Sequence, residues 1–108
     1  MIFKVDMLAF YEDAGMVREV NVPDHEIEGC ANTEKALDEI FFWGQNNFQP
    51  QHCCSVSVAD VINFRDEFWM VMPVGFRQIT QEQKDQHISM SIKDRHVNCY
   101  KFMTTEKS

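Results

Sequence analysis

The sequence predicts an α+β domain: a small antiparallel sheet made of two hairpins, one main helix packed on a face, and a second helix near the C-terminus. Three observations carry this. Two runs rich in β-branched and aromatic residues, 55–64 and 68–76, flank the short charged turn Arg65-Asp66-Glu67. An N-terminal stretch alternates apolar and polar residues at period two. Between them, residues 33–43 place Ala36, Leu37, Ile40, Phe41 and Trp43 at helical spacing.

Taken in order, residues 2–11 read as a strand, with Phe3, Val5, Met7, Ala9 and Tyr11 alternating against Lys4 and Asp6. Glu12 to Gly15 is a turn. Met16 to Val22 returns as a second strand, and Pro23 ends it because proline has no ladder donor. Residues 24–29 read as a polar connection. Asn32 or Thr33 caps the helix over 33–43, and Gly44 suits its C-terminal end. Phe48 to Cys54 is a loop. Asp60 turns the chain into the second hairpin, whose return strand runs from Phe68 to Val74, with Pro73 forcing an edge or a bulge. Thr80 is a candidate cap for a mostly solvated helix, in which Ile79, Gln83, His87 and Met90 are the only hints of an inner stripe. Residues 97–103 read as a last short strand, and 104–108 as a frayed tail.

The 108 residues suit one domain spanning 1–108. Their net charge of −7 disfavours a phosphate backbone as a direct partner. The imbalance is concentrated early: residues 1–29 hold seven acids against Lys4 and Arg18. No apolar run approaches the roughly 20 residues that span a bilayer. The first residues, with Lys4 followed at once by Asp6, do not read as a signal peptide. A cytoplasmic protein is expected, with Cys30, Cys53, Cys54 and Cys99 as reduced thiols.

The residues that carry chemistry do not assemble into a motif. There is no Cys-x-x-Cys pair, and the adjacent His52-Cys53-Cys54 needs distant helpers such as Cys99 to enclose a metal. Gly15, Gly29, Gly44 and Gly75 are scattered, so no phosphate loop forms, and no nucleophile elbow is present. No catalytic residue, cofactor or metal is therefore assigned. The remaining signal is an aromatic excess. Phe41-Phe42-Trp43 cannot all face one side of a helix, so Phe42 packs beneath the Phe48 loop or stands in an interface. The candidate interface residues are Phe42, Trp43, Phe48, Asp13 and Glu19, with a homodimer through Phe42 or an exposed edge strand as one outcome.

The stretch Ser55-Val56-Ser57-Val58-Ala59-Asp60-Val61-Ile62, with Trp69-Met70-Val71 and Val74-Gly75-Phe76, resembles a motif of small phage, plasmid and conjugative-element proteins, the YodL-like modules among them. Residues 43–50 look like a further block of that family, and the resemblance spans about residues 40–79. Ala59 stands where those motifs carry glycine, and ordinary backbone is expected there. The resemblance implies a mobile-element accessory protein with no assigned chemistry, in which Asp60 turns the chain and Val61, Ile62, Val71 and Phe76 are core. The function expected is protein–protein binding without catalysis. The alternatives are an acidic inhibitor of a host nucleic-acid-binding or defence protein, and a metal-supported nucleic-acid accessory module using His52, Cys53, Cys54 and Cys99.

Overall fold

A computed structural model describes residues 1–12, 16–45 and 55–106, with side chains to residue 101. Among them the chain forms β1 (Ile2–Asp6), β2 (Val17–Asn21), α1 (Asp24–Glu28), α2 (Thr33–Trp43), β3 (Val61–Phe64), β4 (Glu67–Val71), β5 (Phe76–Ile79), α3 (Gln81–Ser89) and α4 (Ile92–Glu106). The strands make one antiparallel sheet in the order β2-β1-β3-β4-β5. The two expected hairpins are thus fused, because β1 also pairs with β3, setting Val5 opposite both Arg18 and Ile62.

Alternation along the strands gives the sheet two apolar faces. Val5, Val20, Ile62, Phe64 and Val71 join Ile27 of α1 and Ala36, Leu37 and Ile40 of α2 in one core. Val61, Met70 and Ile79 point the other way and pack with Leu8, Ala9, Ala59 and Cys99 of α4. Helices therefore cover both faces, where one covered face was expected. The second cover escapes periodicity because, among the described side chains, the fully buried ones of α3 and α4 are His87, Arg95 and Cys99, not an aliphatic stripe.

Several boundaries move for local reasons. The first strand stops at Asp6, and residues 7–12 leave the sheet, with Met7, Leu8 and Ala9 all buried in succession. The polar connection at 24–29 contains the short helix α1, anchored by buried Ile27. The α2 bounds match the expected ones, and the Asn32 side chain accepts the Lys35 amide at 2.9 Å as its N-cap. Gly44 closes that helix for want of space: a Cβ there would lie 2.5 Å from Val56 Cγ2.

The return strand ends at Val71, earlier than expected. Pro73 and Val74 sit in a tight turn closed by the Met72 amide on the Gly75 carbonyl, with Gly75 at φ +74°. That turn creates β5, which the continuous reading of 68–74 had hidden. Residues 97–103 lie in α4, not in a strand. The Thr80 cap is present as a reciprocal box, the Gln83 amide on Thr80 Oγ1 at 3.1 Å and the Thr80 amide on Gln83 Oε1 at 2.9 Å.

Candidate functional site

Residues 7–12 form a strap whose Leu8 and Ala9 pack on the sheet side that carries α3 and α4, while Met7 and Tyr11 pack with the α1–α2 core, and buried polar side chains hold it down. Asp60, fully buried, accepts the Ala9 amide on Oδ1 and the Ser57 amide on Oδ2, each at 2.8 Å. One carboxylate thereby ties the strap to the loop entering β3, as its expected chain-turning role requires. The adjoining Ala59 has φ +84°. Its backbone is left-handed, correcting the expectation of ordinary geometry, and alanine bears the strain.

Arg95 of α4 is 1% exposed, and carbonyl oxygens surround it. Its Nη1 donates to Leu8 at 3.0 Å and Tyr11 at 2.7 Å, its Nη2 to Glu12 at 3.2 Å and Ile88 at 2.7 Å, and its Nε to His87 at 3.1 Å. Five N–H donors thus meet five backbone acceptors, so the buried charge is solvated by carbonyl dipoles. His96 adds a bond from Nε2 to the Ala9 carbonyl at 2.9 Å. His87 of α3 grips the Ala59 carbonyl through Nε2 at 2.8 Å. A carbonyl only accepts, so Nε2 carries the proton and Nδ1 is bare; Nδ1 is buried without a partner.

Burial sets the protonation of this cluster. It raises the Asp60 carboxyl to about 6, with the Ser57, Ala9 and Leu8 amides opposing. It lowers His87 below the ordinary imidazole range, the Ala59 carbonyl opposing, while the charges of Arg95 and His96 lower it further. Cys99 is pushed up to about 11 by burial and, secondarily, by the Asp60 charge, so its thiol stays protonated. Asp60 and His87 are sealed from solvent, so the shifted acid–base pair touches no open surface.

What the strap presents outward is Phe10. Leu8 and Ala9 before it are fully buried, yet Phe10 is 54% exposed, its ring 6.0 Å from that of His96. Tyr100 lies one helical turn beyond His96 on α4, and Val97 beside it; both are exposed. Sequence reasoning passed over Phe10. The signal was there: in the period-two reading it falls on the polar side of the strand, an aromatic residue with no place in the core.

The expected interface residues are not brought together. Phe42 is exposed on α2 and meets Trp43 edge-on at 5.7 Å, while Trp43 is partly buried against the core. Glu19 is exposed on the edge strand β2 and faces the side of the sheet opposite α2. Phe48 and Asp13 lie outside the described residues, as do His52, Cys53 and Cys54 of the metal alternative. Its fourth member, Cys99, is buried with its thiol 3.4 Å from Met70 Sδ. Cys30 donates to the Glu26 carbonyl at 3.0 Å. Among the described residues no three His, Cys, Asp or Glu side chains converge as metal ligands, and no helix is long and apolar enough to cross a membrane.

A second surface feature lies on the opposite face. A groove of about 460 Å³ between α1 and α2 is lined by Glu26, Cys30, Lys35, Asp38 and Glu39 among others. Glu28 and Glu34 on the same two helices extend its acidity, whereas Asp24 is paired with the N-terminal ammonium at 2.6 Å. No family model, curated protein sequence or solved structure matches the chain.

Proposed function

We propose that this chain is a non-catalytic binding protein that engages a protein partner through Phe10, Val97 and Tyr100. One observation carries the reading: an exposed aromatic ring sits on a strap whose neighbouring backbone is fixed by Asp60, Arg95 and His96. A ring held this way loses little conformational freedom on binding, the property of an interface anchor. The buried polar groups support the strap. The resemblance of residues 40–79 to mobile-element proteins supports placing it among accessory proteins of such elements, working in the cytoplasm of the host.

A second reading rests on the α1–α2 face, where Glu26, Glu28, Glu34, Asp38 and Glu39 stand against Lys35. Such a face suits a basic partner, as an inhibitor of a nucleic-acid-binding protein would require. The exposed ring of Phe42 lies at the C-terminal end of that surface.

Comparative affinity capture from host lysate separates the two. Phe10→Ala is expected to lose the partner retained by the wild-type chain and by Phe42→Ala. Loss of an anchor of about 2 kcal/mol weakens binding roughly 30-fold. If instead Glu34→Gln with Asp38→Asn abolishes capture, and Phe10→Ala captures the same protein as wild type, the acidic reading replaces the first.

A further inference from the structure

The strap is gripped by groups whose proton affinities respond to burial in opposite senses. Asp60 holds the Ala9 and Ser57 amides. His87 holds the carbonyl of Ala59, the residue immediately before Asp60. The two side chains come from different elements and clamp one corner of the backbone. Around that corner stand Arg95, His96 and Cys99 of α4, and Glu12 lies at the far end of the strap, where Arg95 holds its carbonyl. Asp6 at the end of β1 is engaged by Lys84 of α3 at 2.9 Å.

We propose that Asp60 and His87 form a proton-compensated lock, which keeps the strap seated as the surroundings pass from neutral to mildly acidic. A seated Asp60 exchanges water for two amides and a low-polarity enclosure, so seating favours its protonated form. A seated His87 has its one N–H committed to a carbonyl and its bare Nδ1 enclosed without an acceptor. A second proton there would point at no partner, beside a guanidinium, so seating favours the neutral ring.

The signs follow. The Asp60 carboxyl titrates near 6 when seated and near 3.8 when open, so falling pH through that window favours the seated strap. His87 runs the other way: the open chain accepts a proton near 6.5 that the seated ring refuses, so falling pH favours opening. The two dependences oppose each other over the same range. Either group alone would make the presentation of Phe10 vary with pH; together they flatten it.

Amide hydrogen exchange at Ala9 and Ser57, corrected for the intrinsic pH dependence of exchange, tests this on the isolated protein. In His87→Gln only the Asp60 linkage remains, and protection at Ala9 is expected to rise about tenfold from pH 7 to pH 5. In Asp60→Asn only the His87 linkage remains, and protection falls over the same range. The wild-type change lies between the two. Equal slopes in wild type and His87→Gln, or slopes of the same sign in both variants, overturn the lock. Should a variant fail to fold, carboxyl carbon NMR of the wild-type chain decides: Asp60 titrating near 6 supports the proposal, and titration near 3.8 overturns it. No binding partner enters these measurements, so their failure is distinguishable from failure of Phe10 as an anchor.

Discussion

Arg95 is the residue on which the strap depends most. Its five donors reach Leu8, Tyr11, Glu12, His87 and Ile88, so one side chain joins the N-terminal strap to the α3–α4 corner. Lysine keeps the charge but brings three donors where arginine brings five, and cannot copy the planar fork. Arg95→Lys is therefore expected to lose about 3 kcal/mol or more in urea denaturation, and Arg95→Met a similar amount, since it strands the carbonyls without a cation. Trp emission of the folded baseline reports whether the rest of the sheet survives. The Asp60 role was legible in the sequence, because a polar residue interrupting an apolar run needs a local reason. His87 was legible as part of an inner stripe, though not its bond; Arg95 was not, since a buried guanidinium looks like a surface residue until the carbonyls it meets are known.

At the scale of elements, the β3–β4 turn stands out. Arg65 and Asp66 have φ of +50° and +66°, the geometry of a two-residue turn that favours Asn-Gly. Left-handed backbone costs ordinary residues about 1 kcal/mol each. Replacing Arg65-Asp66 by Asn-Gly is expected to raise stability by about 1 kcal/mol, reduced by loss of the Arg65 guanidinium from the Phe64 ring at 4.7 Å. A denaturation midpoint that falls would contradict this. The hairpin itself was plain in the sequence, because β-branched alternation around a charged turn has few other solutions. The α2 helix was equally plain from its spacing and cap. Strand β5 and helix α4 were not. The first hides behind Pro73, whose turn was read as part of a longer strand. The second turns inward through Arg95 and Cys99, leaving no aliphatic stripe to count.

On the scale of the whole molecule, the strap makes the two apolar layers interdependent. Trp43 and Trp69 pack on the α1–α2 side of the sheet, whereas Cys99 lies on the other. If the layers unfold together, Trp fluorescence and Cys99 alkylation should report the same free energy as denaturant rises. Cys99 should be inert in native buffer, its thiol buried and pushed up to about 11, while partly exposed Cys30 reacts. Alkylation of Cys99 well below the fluorescence midpoint would show that α4 detaches alone. The sheet also limits self-association. A symmetric pairing of two β2 edges centred on Glu19 opposes like charges. A homodimer through that edge, one of the outcomes expected of the sequence, meets repulsion at its centre in that register.

The bonds from Arg95 to Leu8, Tyr11 and Glu12 bridge 87, 84 and 83 positions of the chain. Synthesis from the N-terminus makes the strap well before its clasp. Until residue 95 leaves the ribosome, Leu8 and Ala9 have no helix above them and the strap carbonyls face water. The N-terminal hairpin can pair early, but Phe10 takes its final position only after residue 95 has emerged, so a chain cut before that residue lacks the bonds that seat the strap.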